Sequence, residues 1–357
     1  MRPEAERTDI LNVSRERLGE WLAERGFAAY RAGQILKWVY RRQADSFAQM
    51  SDISKPLREL LPQHFQIPRL EVRALQTAAD GTRKYLFGLG DGETIESVLI
   101  PEREHHTLCV SSQVGCAQNC RFCLTATTRL RRNLSQGEIL AQIRDIRRDL
   151  AAPAQLTNLV FMGMGEPLAN LDHLLGALDI ITDSDRGLGF ANRRVTVSTA
   201  GLVPQMLEFG RRCRVSLAVS LNAADNDTRS RLMPINRKYP LEVLLEACRR
   251  YPLPPGRRIT FEYILIQGVN DALKDARRLA RLLQPIRCKI NLIPFNPHEG
   301  SEFERPAEQA ILAFRKVLLQ KHYTVIIRQS KGGDISAACG QLRARSVEAE
   351  ILDTLSS

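Results

Sequence analysis

No stretch of this chain is apolar for long enough to cross a bilayer. The opening segment, Met1 to Glu20, is charged and has no hydrophobic centre of the kind a secretion signal needs. These absences exclude a helical membrane protein and predict a cytoplasmic one. No internal repeat and no low-complexity linker is present, which excludes a solenoid and a disordered tether. Acidic residues are the scarcer charge: 40 Asp and Glu stand against 51 Lys and Arg, a formal net charge of +11. That excess favours a polyanionic partner such as RNA or DNA, although a solvated basic surface produces the same count. Cysteine is also sparse, 8 in 357 residues. In a cytosolic chain, scattered cysteines read as metal-binding or catalytic residues rather than structural disulfides.

What is present is enough apolar residue, 44 %, for one large core and a small second one. Residues 1–68 read as short helices, a small basic accessory domain for RNA binding. Leu18, Trp21 and Leu22 share one helix face, and Gly26 ends that helix. A second helix from Tyr30 to Arg42 aligns Ile35, Leu36 and Val39, and a third runs near Pro56 to Leu61. Residues 69–101 read as a connecting antiparallel β-meander. Its strands are Leu70–Leu75, Arg83–Phe87 and Thr94–Ile100, with Asp80-Gly81 and Asp91-Gly92 as the turns.

Residues 102–342 then alternate strands with amphipathic helices, and 343–357 form a tail. The strands are Leu108–Ser111, Leu159–Met162, Val195–Ser198, Val215–Leu221, Ile259–Ile266 and Ile290–Ile293, with Tyr323–Ile327 as a last, edge strand. Ser135 and Glu138 form a capping box opening one helix. Ile139, Leu140, Ile143, Ile146 and Leu150 line its core face, and Arg144, Arg147 and Arg148 are expected to point away. Six β-α units predict an α/β fold, a partial (β/α)6 TIM-like barrel with ligands at the C-terminal ends of its strands.

Cys116, Cys120 and Cys123 lie within eight residues, directly after the first barrel strand. A 4Fe-4S cube takes four thiolates when fully ligated, so three leave one iron open to a substrate or cofactor. The C-x3-C-x2-C spacing with an aromatic, Phe122, before the last Cys is the signature of radical S-adenosylmethionine (SAM) enzymes. The competing reading is a structural zinc in a non-catalytic RNA-binding protein, with His105 or His106 completing the ligand set.

Gly163-Met-Gly-Glu-Pro167 follows the second strand. Its glycines would let the backbone approach a ligand, and Glu166 offers a carboxylate to an ammonium such as that of SAM. Ser198, Ser220, Asn222 and the Pro294-Phe-Asn-Pro297 turn put polar groups at the ends of later strands. Each alone reads as a cap or turn, but their repetition at one end argues for a shared ligand. Two cysteines stand apart. Cys109 lies inside the first strand, and Cys339 sits in a small-residue loop after the last strand. Small neighbours leave a thiol accessible as a nucleophile. Cys213, Cys248 and Cys288 read as small buried hydrophobes.

The ordered set of Thr107–Cys116, the three-cysteine loop, Arg132-Asn-Leu134, Gly163–Pro167, Arg194–Thr199, Lys289–Pro294 and Ala337–Leu342 resembles the RlmN/Cfr family of radical SAM RNA methyltransferases. The resemblance covers nearly the whole chain. It implies a 4Fe-4S cluster on Cys116, Cys120 and Cys123, and two SAM molecules per turnover. The first methylates Cys339. The second binds the open iron and is cleaved to a 5′-deoxyadenosyl radical, which takes hydrogen from the methyl group on Cys339. The carbon radical adds to an adenine ring carbon of RNA. Cys109 then attacks Cys339, and a transient disulfide releases the methylated base. Glu96 matches the family's proton acceptor. SAM contacts carry over onto Gly165, Glu166, Ser198, Ser220, Leu221, Asn222 and Asn296. The chain departs from the pattern at Lys331-Gly-Gly-Asp-Ile335, where relatives often carry an acid in place of Gly333.

The two-thiol scheme has a chemical reason. Adenine C2 is electron-poor and has no lone pair, so SAM cannot methylate it directly. A radical route needs a covalent methyl carrier, and releasing the product needs a second thiol. The expected substrate is an adenosine in 23S rRNA, methylated at C2, with tRNA as a second substrate left open. The Cfr-type reaction at C8 is the alternative. The expected partners are the RNA and a one-electron reductant such as flavodoxin or ferredoxin, and the expected state is a monomer.

Overall fold

The computed structural model of the chain describes residues 7–298 and 300–343. The expected tail therefore lies, beyond Arg343, outside the described residues. The chain opens with a two-residue strand β1 (Thr8–Asp9) and helices α1 (Arg15–Ala23), α2 (Arg31–Tyr40) and α3 (Lys55–His64), closed by β2 (Phe65–Gln66), which pairs parallel with β1. Ser14 caps α1 by accepting from Arg17 N–H at 3.3 Å, and Gly26, at φ +79°, ends the turn after it. Leu18, Leu22, Ile35, Leu36 and Val39 are all buried, as their periodicity predicts. Trp21 packs edge-on against Phe65, with ring centroids 4.8 Å apart.

The meander follows as β3 (Glu71–Thr77), β4 (Arg83–Gly88) and β5 (Thr94–Pro101). Both turns carry glycine at positive φ, +82° at Gly81 and +88° at Gly92, where a side chain would strain the backbone. Strand β5 pairs antiparallel with β6 (His106–Cys109), so the meander and the barrel share one sheet. A short ribbon of β7 (Gln113–Val114) and β8 (Arg132–Asn133) brackets the cysteine loop.

The α/β part runs α4 (Gln136–Arg148), β9 (Leu156–Phe161), α5 (Leu171–Thr182), β10 (Val195–Thr199), α6 (Val203–Arg212) and β11 (Ser216–Ser220). It continues through α7 (Asn226–Leu232), α8 (Leu241–Arg250), β12 (Ile259–Leu265), α9 (Leu273–Leu283), β13 (Cys288–Pro294), α10 (Glu308–Leu319) and β14 (Val325–Ile327). The ten-stranded sheet has the order β14-β13-β12-β11-β10-β9-β6-β5-β4-β3, parallel from β14 to β6. Among the described strands β14 pairs only with β13, so the parallel part curls without closing. This is the expected partial barrel. Each parallel strand returns through a helix, which covers the outer face of the sheet.

Strand alternation sorts the two faces. Phe261, Tyr263, Ile290 and Leu292 are fully buried under helices, and the Tyr263 ring packs 5.4 Å from Phe314 of α10. The opposite positions, Glu262 and Asn291, turn toward the inside of the curl, where no helix covers them.

Helix α4 joins the N-terminal helices to the barrel. Its capping box is present: Ser135 Oγ accepts from Glu138 N–H at 3.1 Å, and Glu138 Oε2 accepts from Ser135 N–H at 2.8 Å. One sequence expectation fails here. Arg144 does not face solvent; it is fully buried and donates to the carbonyls of Pro68 and Ala44 at 3.0 and 2.9 Å. The N-terminal module covers that side of α4, an arrangement helical periodicity does not report. Asp145 beside it accepts from Leu70 N–H at 2.9 Å and pairs with Arg69 at 3.0 Å.

Candidate active site

The three-cysteine loop leaves β7 through Gly115, at φ +75°, and folds back on itself. Cys123 N–H donates to Cys120 O at 3.0 Å, and Cys116 N–H donates to Thr128 O at 3.3 Å. Cys120 and Cys123 rest on a separate apolar cluster that includes Phe122, Leu232, Met233, Ile266 and Phe295. Phe122, the aromatic of the motif, is thus part of the floor. Burial pushes the thiols up, Cys116 to about 12, and at Cys116 and Cys120 the neighbouring loop thiols push in the same direction.

Three thiols close enough to raise one another's pKa, beside an apolar floor, fit a thiolate-ligated cluster, because iron binding removes the protons that burial otherwise holds on sulfur. Among the described residues no group of three His, Cys, Asp or Glu is already disposed to hold a metal ion.

The Cys339 loop is fastened to the same structure. Leu124 N–H donates to Gly340 O at 2.6 Å, and Thr125 Oγ1 donates to Leu342 O at 2.6 Å. On the other side Asn296 Nδ2 donates to Cys339 O at 3.3 Å, and Gln341 Nε2 donates to Pro297 O at 2.8 Å. Asp334 accepts from Ala79 N–H at 2.9 Å in the first meander turn. The small residues flanking Cys339 therefore form a fixed loop, bound to the cysteine loop, the end of β13 and the meander.

Cys339 is an exposed residue whose sulfur lines a cleft of about 330 Å³. Cys109, buried in β6, lines the same cleft, with Met162, Ile293, Asn296 and Arg328 among its walls. All eight cysteines are free thiols in this structure. Burial, then the nearby Cys339, pushes the Cys109 thiol up to about 12, partly countered by Arg328. The Cys339 thiol, enclosed by the cleft although the residue as a whole is exposed, is raised as well, again opposed by Arg328.

A smaller space of about 130 Å³ adjoins Cys339 and is walled by Gly163, Gly165, Glu166, Ser198 and Glu262. Of the residues expected to meet SAM, Gly165, Glu166 and Ser198 line it. Glu166 is buried, and its two oxygens already accept backbone N–H groups, from Leu168 at 3.1 Å and Ala200 at 2.6 Å. Burial still dominates and raises the carboxyl to about 7. Each oxygen keeps a second lone pair, so an ammonium would find a desolvated carboxylate held at two points.

The glycines also serve the packing of this turn. A Cβ on Gly165 (φ +100°) would come within 2.6 Å of Gln113 Cβ and 2.8 Å of its backbone nitrogen. One on Gly163 would come within 2.8 Å of Val110 O. Their missing side chains let this turn close against the chain beyond β6.

The end of β11 is held by its neighbours. Asn222 (φ +58°) is buried, accepts from Ile264 N–H at 2.9 Å and directs its amide to the Met233 sulfur at 3.3 Å. Leu221 is fully buried, and the Ser220 carbonyl accepts from Arg229 at 3.2 Å. None of these three lines either space. Asn296 lines the larger one. Glu96 is buried on β5, where it pairs with Lys84 at 3.4 Å and accepts from Arg343 N–H at 2.8 Å. It does not line the cleft.

Sequence reading missed four groups. Arg229 is fully buried and ties the ends of β10 and β11 together through the carbonyls of Ala200, Leu221 and Ser220. Arg328 lies between the thiol cleft and a wider mouth of about 620 Å³ lined also by His105, Arg193 and Arg194. Glu262 and Asn291 face the inside of the barrel. The one available signal was a Glu within the otherwise apolar run Ile259–Ile266. Arg132, beside the cysteine loop, is held by Glu138 at 2.8 Å and Asp91 at 2.6 Å.

Comparison with known proteins agrees with this geometry. The family model described as the ribosomal RNA large subunit methyltransferase N-terminal domain matches residues 8–67, and that of the radical SAM superfamily matches residues 110–280. The dual-specificity RNA methyltransferase RlmN of Desulfosudis oleivorans is 58 % identical over 94 % of this chain and 91 % of its own length. That of Geobacter sulfurreducens is 57 % identical over 94 % of this chain and 92 % of its length.

The chain belongs to the RlmN family. It is a radical SAM methyltransferase, and among the described residues no helix is long and apolar enough to cross a membrane. A solved radical SAM methyltransferase from Sphaerobacter thermophilus superposes with a TM-score of 0.88 at 44 % identity, covering 95 % of this chain and 100 % of that one. The family's N-terminal model accounts for the helical module on α4, and its radical SAM model for the strands that carry the cysteine loop and Glu166.

Proposed function

We propose that this chain methylates C2 of an adenosine in RNA, in 23S rRNA and also in tRNA, with Cys339 as the methyl carrier and Cys109 as the thiol that releases it. The observation that carries the reading is that Cys109, inside a strand, and Cys339, on a distant loop, line one cleft beside the three-cysteine loop. A simple thiol-lined pocket has no need of a loop pinned on three sides. A carrier does, because its methyl group must meet the radical source and the base in turn.

Cys116, Cys120 and Cys123 would hold the 4Fe-4S cluster. With SAM bound and one electron delivered, cluster and SAM together supply a 5′-deoxyadenosyl radical. Glu166 would take the SAM ammonium, with Gly165 and Ser198 beside it. Cys339 keeps the transferred carbon on sulfur, close to the radical source because its loop is bonded to Leu124 and Thr125. Cys109 would attack that sulfur once the carbon is joined to the base, forming a Cys109–Cys339 disulfide as the sulfur–carbon bond breaks, and a thiol-level reductant would then reopen the disulfide. The raised thiol pKa keeps Cys109 protonated, and so a weak nucleophile toward SAM, in the free enzyme. Glu96, paired with Lys84, would be the proton acceptor. The mouth lined by Arg193, Arg194 and Arg328 puts cationic side chains next to the thiol cleft, as an RNA backbone requires.

An anaerobic assay with reconstituted enzyme, SAM, reductant and transcribed rRNA and tRNA fragments tests this. Nucleoside mass spectrometry should find 2-methyladenosine, and Cys339→Ala should abolish it. With Cys109→Ala the RNA should remain covalently attached to protein on a denaturing gel. A product methylated at C8, or full turnover by Cys339→Ala, would sink the proposal.

A further inference from the structure

Glu262 and Asn291 face each other across β12 and β13, at paired positions in the register. Both are buried, with 5 % and 6 % of their surface exposed. Asn291 Nδ2 donates to Glu262 Oε1 at 2.9 Å. The other two acceptors of the pair, Glu262 Oε2 and Asn291 Oδ1, have no hydrogen-bond partner among the described residues.

Two orphaned acceptors side by side in a buried place are costly. Arg328 and Lys289 are the nearest cationic influences on Glu262, yet neither forms an ion pair with it, and burial still raises its carboxyl above the usual range. A strand position facing a packed core would be apolar. An unpaired carboxylate kept there points to a ligand that brings donors.

Glu262 shares the 130 Å³ space with Glu166, Gly165, Ser198 and Cys339. A single ligand there would lie with one end on Glu166 and the other toward β12. We infer that Glu262 and Asn291 form a two-acceptor cradle for the vicinal 2′- and 3′-hydroxyls of the SAM ribose. A diol presents two adjacent O–H donors, which matches two adjacent acceptors, one of them charged. This inference rests on SAM being the co-substrate, and it assigns the nucleoside end of SAM to residues that the strand-end motifs did not include.

The test is equilibrium binding to the reconstituted full-length enzyme, with SAM and its 2′-deoxy analogue as probes and a radiolabelled RNA fragment as control. The native enzyme should bind SAM about 10- to 100-fold more tightly than the deoxy analogue, the worth of a hydrogen bond to a charged group. Glu262→Gln keeps the size and the bond from Asn291, but removes the charge and one acceptor. It should lose most of that discrimination while RNA affinity stays unchanged. Without ligand it should unfold at the same or higher urea concentration than the native protein, because it removes a carboxylate without a counter-ion.

A Glu262 that only supports the fold gives the opposite pattern: lower stability and an unchanged SAM-to-deoxy ratio. Either of those results overturns the cradle, as does a loss of RNA affinity in place of SAM affinity. Native enzyme that binds SAM without regard to its hydroxyls defeats the cradle alone. Native enzyme that binds no SAM at all defeats the cradle and the proposed function together.

Discussion

Lys84 Nζ lies 3.4 Å from Glu96 Oε1, and the two side chains are 8 % and 6 % exposed on neighbouring antiparallel strands. The pair explains how a carboxylate can be kept inside the sheet, and it makes Glu96 far from an ordinary hairpin acid. Removing one partner leaves a buried charge unmatched. Lys84→Met is expected to cost about 3–5 kcal/mol. The double variant Lys84→Met/Glu96→Gln should recover most of that loss, read from urea midpoints. Equal losses in the single and double variants would show that the pair is not coupled.

Cys109 makes stability depend on pH at the alkaline end. Its thiol is raised from 9.0 to about 12 by burial, so the folded chain holds a proton that the unfolded chain has released. Stability is therefore complete below pH 9 and falls as pH climbs toward 12. Cys248 and Cys288, raised to about 12 as well, act in the same window. Cys109→Ala should flatten the decline in urea midpoint between pH 9 and 11 relative to the native protein. Parallel curves would contradict the assigned shift.

Arg229 donates to Ala200 O at 2.8 Å, Leu221 O at 3.1 Å, Ser220 O at 3.2 Å and Asn236 Oδ1 at 3.0 Å. Arg229→Met keeps the bulk but orphans these acceptors, and each costs about 1–3 kcal/mol when buried. We expect at least about 3 kcal/mol of lost stability in chemical denaturation. Weaker SAM binding should accompany it, because Ala200 also positions Glu166. A loss below about 1 kcal/mol would mean that water replaces the guanidinium.

Gly165 and Gly92 separate two reasons for glycine. Both have positive φ, +100° and +88°, but only Gly165 has atoms where a Cβ would stand; Gly92 has none within 4 Å. Gly92→Ala should cost only backbone strain, about 1 kcal/mol. Gly165→Ala adds a collision with Gln113 and should lower the melting temperature several degrees further. Equal shifts in calorimetry would remove the packing argument.

Much of this molecule was legible in one dimension because its signals are local. The capping box at Ser135 and Glu138, the glycine turns and the alternating strands report backbone periods that any short window reveals. The cysteine loop and the Glu166 turn were legible for the same reason, since each keeps its chemistry within eight residues. Tertiary structure decided what depends on distant segments meeting. Arg144 is buried because the N-terminal helices cover α4, and Arg132 is engaged because Asp91 of the meander reaches it. Asn222 ends a strand as expected, but β12 takes up its side-chain oxygen. Cys109 becomes a partner of Cys339, and Glu262 an unpaired acceptor, only when the sheet curls and turns its inner positions toward one space. A strand's period tells which residues share a face; what that face looks onto depends on the curvature of the whole sheet, which no short segment encodes.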